Sequence, residues 1–153
     1  MSRRGQITMS ADEVAAFLDQ QRVVICGSHG PRGWPHLMPL WYVVRDGDVW
    51  AWTYAKSQKA RNLERDDRAT LQVEDGQQYD ELRGVMIEAR TTIHRDTELV
   101  AGVGAEVFGR HGADVRDEGF MDGLRAQAAK RVALQFRAER TATWDHRKLG
   151  GIY

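Results

Sequence analysis

The residues of this 153-residue chain best suited to chemistry stand close together at positions 53–63 (TYAKSQKARNL). A β-rich run ends there, Ser57 is placed to cap a helix, and Lys56, Lys59 and Arg61 fall within its first turn or so. Helix N-termini carry unpaired N–H groups and the positive end of a dipole, so this step is a suitable seat for a phosphate. Cations there oppose the usual preference for acidic residues in a first turn, a local cost that an anionic ligand would offset. The alternative for the same residues is a solvated basic face. A second constellation is GWPHLMPLWY at 33–42. Pro39 removes a ladder hydrogen bond, which puts it at an edge, a bulge or a break facing a ligand. Trp41, two residues on, could wall a flat ligand, although any single Trp more often serves the core.

Other chemistries find less support. His29, His36, His94, His111 and His146 show no metal-ligand spacing, and neither HExxH nor CxxC occurs, so no metal site is expected. The lone Cys26 excludes an intrachain disulfide, and inside an apolar run it reads as a small core residue rather than a nucleophile. No GxSxG elbow is present. Gly102, Gly104, Gly109 and Gly112 do not follow a strand, so a dinucleotide fingerprint fails on context.

The elements that must position these residues follow from local pattern. Residues 1–9 are polar and expected to be a flexible arm. Ser10 and Glu13 have capping-box spacing before a helix whose apolar face is Val14, Phe17 and Leu18. Strands are expected at 22–28 and 35–45, and Asp46-Gly47 turns the second into DVWAWTY. There Val49, Ala51 and Thr53 face one way, and Trp50, Trp52 and Tyr54 the other. A charged helix follows Ser57, then strands ATLQVED and RGVMIEARTTIHR around the loop GQQYDEL. Residues 96–129 read as two helices split near His111 and Gly112, and 130–143 as a last strand. No repeat or linker divides the chain, so 1–153 is one domain, mainly β with helices: a small closed or partly closed barrel.

Composition removes whole classes of function. The 22 basic and 22 acidic residues balance, which argues against a nucleic-acid or membrane-surface binder. No apolar run approaches the ~20 residues that span a bilayer, and no signal-like start appears, so a soluble cytoplasmic protein is expected. Within that balance lies an asymmetry. Only four of the basic residues are Lys, and Lys56 and Lys59 are two of them; Trp41, Trp50 and Trp52, three of the five Trp, lie just before.

Together, PHLMPLWY, WTYAKSQKARNL, ERDDRATLQVED, ELRGVMIEA and the terminal TWDHRKLGG resemble the pyridoxamine-phosphate-oxidase-like split-barrel flavoproteins. The closer likeness is to the flavin/deazaflavin oxidoreductases of actinobacteria, the branch that uses coenzyme F420. The resemblance runs from about Ser10 to the C-terminus. It implies a six-stranded split β-barrel of Greek-key type that forms a homodimer, with two cofactor sites across the interface. The cofactor phosphate would sit on Ser57 and Lys59, with Lys56 and Arg61 as added cations. The flat ring would lie against Pro39, Leu40 and Trp41, with Thr53 close by. Oxidases of this superfamily that hold FMN have an Arg and a Lys at the positions of His36 and Trp41, and an Arg at that of Gln58. Losing three cationic contacts to a dianion disfavours FMN, because charge-assisted bonds are the strong ones. The F420 phosphodiester and oligoglutamate tail need a more spread-out basic surface, to which Arg3 or Arg4 could add.

The activity so implied is hydride transfer between reduced F420 and a small conjugated acceptor. Solvent, Tyr79 or His36 would supply a proton, and Trp144 would close the pocket across the dimer or pack in its interface. The alternatives are an FMN-binding oxidase or reductase on the same barrel, a non-catalytic carrier of F420, haem or a tetrapyrrole, and a barrel with a degenerate site.

Overall fold

The computed structural model describes residues 2–151. The chain runs α1 (Arg3–Gln6), α2 (Ala11–Gln20), β1 (Val23–His29), β2 (Pro35–Trp41), β3 (Val43–Arg45), β4 (Asp48–Tyr54) and α3 (Gln58–Arg65). It continues through β5 (Arg68–Asp75), a 3-10 turn (Tyr79–Glu81), β6 (Arg83–His94), α4 (Thr97–Arg110), α5 (Glu118–Ala128), β7 (Arg131–Asp145) and a last 3-10 turn (His146–Leu149). All strand pairings are antiparallel, in the order β2-β1-β5-β6-β7-β4-β3.

The sheet therefore has seven strands, not the expected six. The run 35–45 breaks at Tyr42, and its two halves become the two edges of the sheet: β2 pairs with β1, β3 with β4. Tyr42 is buried and donates its hydroxyl to the Leu18 carbonyl at 2.6 Å, while its own carbonyl accepts from Arg110 at 2.7 Å. These two bonds anchor the corner at which the sheet curls back on itself. The Asp46-Gly47 turn forms as expected, with positive φ at both residues (49° and 84°), the geometry that matches strand twist. A register shift at Glu88/Ala89 lets the long β6–β7 ribbon bend around the core.

Inside the curl, alternate residues of β1, β4, β5, β6 and β7 meet: Val24 and Cys26, Val49 and Ala51, Leu71 and Val73, Val85 and Ile87, Leu134 and Phe136. Phe17 and Leu18 of α2 and Ala60 and Leu63 of α3 plug the barrel. The Ser10–Glu13 capping box closes the start of α2. Outside, α4 and α5 cover Trp50, Trp52 and Ala133. In the segment expected to be a flexible arm, α1 forms one turn, Met9 is buried, and its N–H donates to Thr143 Oγ1 at 2.9 Å. No helix among the described residues is long and apolar enough to cross a membrane.

Candidate cofactor site

The step from β4 into α3 is fixed by its own side chains. Ser57 caps α3, its Oγ accepting from the Ala60 N–H at 3.2 Å, and Thr53 Oγ1 lies 3.4 Å from the same Oγ. Lys59 turns inward: its ammonium is buried and donates to Thr53 Oγ1 at 3.0 Å. Burial pushes the Lys59 amine below its ordinary value; Cys26 opposes this and Arg131 adds to it. Burial likewise pushes the Cys26 thiol up to about 11, opposed by Lys59. Beneath α3, the fully buried Asn62 donates to Ser28 Oγ at 3.1 Å and accepts from Gln58 Nε2 at 2.7 Å.

The three cations of the sequence motif thus diverge. Lys59 enters the barrel end, whereas Lys56 and Arg61 stay exposed. Beside Lys56 opens a cleft of about 680 Å³ lined by Tyr54, Ala55, Lys56, Ser57, Ala129 and Lys130. The start of β7 is held there by Ala55 N–H donating to the Lys130 carbonyl at 3.0 Å. Next to Lys130, the Arg131 guanidinium lies 4.4 Å from the Trp52 ring centre and 4.0 Å from that of Tyr54. Its Nε is buried without a hydrogen-bond partner. Sequence reading did not bring Lys130, Arg131 and Tyr54 to this step. Only the β4–β7 register, which sets Tyr54 opposite Arg131, brings them to the motif.

The aromatic residues divide sharply. Trp50 and Trp52 are 8% exposed under α4 and α5, so they wall no open site. Trp41 is 43% exposed on the edge strand β2, next to exposed Pro39 and half-buried Leu40. Pro39 sits at an edge, as its missing N–H requires. The His36 Nδ1 is buried without a partner, in a hollow of about 110 Å³ shared with Arg32, Trp34 and Gln58.

Tyr79 and Trp144 are elsewhere in the protomer. Trp144 faces Gly84 near the end of β7, the far end from Val132, which pairs with Thr53. Its ring lies so close over Gly84 that any Cβ there would overlap it. The Tyr79 ring is 4.6 Å from that of His146, whose Nδ1 lies 2.8 Å from the Tyr79 carbonyl oxygen. One chain therefore brings Thr53, Lys56, Ser57 and Lys59 together and leaves Tyr79 and Trp144 apart from them. No group of three His, Cys, Asp or Glu among the described residues could hold a metal.

Comparison with known proteins supplies a family. Over its whole length the chain is 41% identical to the conserved hypothetical protein Rv2991 of Mycobacterium tuberculosis, covering 95% of that chain with a TM-score of 0.91. An F420 reductase is 16% identical over 83% of this chain and 94% of its own (TM-score 0.67). The haem storage protein HutZ of Vibrio cholerae is 18% identical over 87% and 94% respectively (TM-score 0.67). At such identities these two likenesses concern the fold alone. No curated protein matches the chain. A family model described as pyridoxamine 5'-phosphate oxidase matches residues 10–145, almost the whole described structure, and on that ground the chain belongs to the pyridoxamine 5'-phosphate oxidase family.

Proposed function

We propose that the protein is a homodimeric oxidoreductase that uses the deazaflavin coenzyme F420 to reduce a small conjugated acceptor. The observation that carries this reading is the open cationic cleft at the β4–α3 step, on a fold whose family handles a phosphate-bearing substrate. Lys56 and Lys130 face that cleft from two strands' ends, and Ser57 opens the helix beside them. Two separated ammonium groups suit a phosphodiester and an extended anionic tail better than one compact dianion. FMN is disfavoured on the same surface. His36 stands where FMN oxidases of the superfamily have an Arg, and the Gln58 amide is already engaged by Asn62.

Bound F420 would supply the hydride chemistry. The chain's own residues bind and orient. Lys56 and Lys130 attract the anion, and Arg61 adds to the field. Lys59 secures Thr53 and raises the positive potential from below. Pro39, Leu40 and Trp41 offer the ring an apolar strand whose outer edge has no neighbour. That edge also favours a second copy of the chain as partner. Val23, Leu37, Met38, Trp41 and Val44 are exposed apolar residues on β1, β2 and β3. Exposed apolar side chains on and beside the two sheet edges are a liability in a monomer. In the homodimer, Trp144 or Tyr79 of the second copy would reach the pocket that this protomer leaves open, and His36 would stand at its polar end.

Titration of the purified protein with F420 and with FMN, followed by fluorescence, tests the cofactor. F420 should bind at least tenfold more tightly, and Lys56→Ala should weaken it about ten- to a hundredfold, the loss of one charge-assisted contact. Equal affinity for FMN, or binding of haem in place of both, would sink the F420 reading. Sedimentation tests the dimer, and a monomer at micromolar concentration would remove it.

A further inference from the structure

We propose that His111, at the C-terminal end of α4, is a positioning residue that holds the Trp41 indole with one face open to a flat ligand ring. This deepens the cofactor reading above and rests on it. An indole on an edge strand has a neighbouring strand on one side only to fix its rotamer, and an unfixed ring loses conformational entropy when a ligand stacks on it. Here it is fixed from two sides by one helix. The His111 imidazole lies nearly parallel to it, 3.6 Å between ring centres and 15° between planes. Phe108 meets it edge-on at 5.7 Å and 81°.

The support reaches into the core. Phe108 also meets Trp52 and Phe120 edge-on, both at 5.9 Å, and those rings belong to the packed layer of α4, α5 and β4. His111 stands three residues after Phe108 and donates its backbone N–H to the Phe108 carbonyl at 3.0 Å. Gly112 follows with φ +88°, a conformation that turns the chain away immediately behind the imidazole. An indole has two faces, the imidazole covers one, and Trp41 is still 43% exposed. The exposed part of the indole is what a ring can use. Burial, with Arg22 and Arg110 nearby, holds the imidazole below its ordinary pKa. It therefore stacks as a neutral ring and leaves the charge of the site to the lysines.

The test compares wild type, His111→Ala and His111→Phe, each titrated with F420 and with its phosphate-free deazaflavin chromophore. The Ala variant should bind both ligands about three- to tenfold more weakly, by the same factor, because stacking acts on the ring they share. The Phe variant should restore both. Acrylamide quenching of Trp41 emission, taken as the difference from Trp41→Phe, should rise in the free Ala variant and not in the Phe variant. A merely structural His111 would change neither the matched factor nor its rescue. Unchanged quenching in the Ala variant overturns the proposal. So does tighter binding, which would make His111 a plug over the ring position. If wild type binds neither ligand, the cofactor reading fails and takes this role with it; if wild type binds and His111 is silent, only the positioning role fails.

Discussion

Two strands of the one sheet carry the same residue type to opposite ends. On β4, Trp50 and Trp52 are sealed between the sheet and the α4–α5 layer; on and before β2, Trp41 is half exposed and Trp34 is 73% exposed. The difference is coverage, not composition. The run 49–53 is buried on both faces because the barrel lies beneath it and two helices lie above it. β2 has a neighbour on one side only. A tryptophan with its surface already removed from water has given its free energy to folding, whereas one left in water at a sheet edge still has it to give to a ligand or a partner.

The largest effect should come from breaking the covered side. Gly104 of α4 lies so close to Trp52 that a Cβ there would stand 2.6 Å from the ring. Trp52→Ala should therefore open a cavity and cost about 3–5 kcal/mol of stability, measured by urea unfolding. Trp41→Ala should cost less, about 1–2 kcal/mol by the same measurement, since nearly half of that residue is already exposed. The order should reverse for F420 affinity, where Trp41→Ala acts directly. A Trp41 variant as unstable as the Trp52 variant would show that the two strands do not differ in the way described.

The same contrast explains what the sequence could and could not tell. The alternation of Val49, Ala51 and Thr53 against Trp50, Trp52 and Tyr54 was readable, because strand geometry imposes a period of two. What covers each face was not, because α4 and α5 come some fifty residues later and no local signal names their seat. The capping boundaries at Ser10 and Ser57 and the Asp46-Gly47 turn were equally local and equally readable. The break at Tyr42 was not: it depends on hydrogen bonds to Leu18 and from Arg110, both distant in sequence. The inward turn of Lys59 is an intermediate case. Leu63 follows it by four residues, so both lie on one helix face, and that face is the buried one. The spacing held this information, but the charge drew attention to the motif as a surface.

A smaller effect should separate Lys56 from Lys59. Lys56 is exposed beside the cleft, so Lys56→Ala should lower F420 affinity and leave the urea midpoint unchanged. Lys59 is a buried amine held by Thr53, and Lys59→Met replaces it with an apolar chain of similar length. Removing a buried charge in this way is often neutral or stabilising, so the midpoint should hold or rise. Its F420 affinity should fall less than that of Lys56→Ala, because the ammonium acts on the anion only through the field. If Lys59→Met alone abolishes binding while Lys56→Ala does nothing, the anion is held from inside the barrel end and not in the cleft.

The smallest effect concerns the strand next to β2. Cys26 on β1 is buried beside Lys59, with its thiol pushed from an ordinary 9.0 to about 11. Its partner across the ladder on β2, Met38, is exposed. The native thiol keeps its proton where the unfolded one has lost it, so its share of stability is present below about pH 9 and lost as pH rises toward 11. Lys59 has the opposite sign. Its amine is lowered from 10.5, so the unfolded chain holds more protons just below that value, and stability from this group is gained as pH rises through the window. The two partly cancel in the wild type. Cys26→Ala should remove the falling component, together with the thiol's opposition to the Lys59 shift, leaving a flatter or rising urea midpoint between about pH 9 and pH 10.5. Native protein near pH 8 should likewise resist a thiol reagent that labels the urea-unfolded chain at once. Rapid native labelling would mean that β1 opens to water as readily as β2 is already open to it, and the boundary between the sealed and the available side of the molecule would have to move one strand inward.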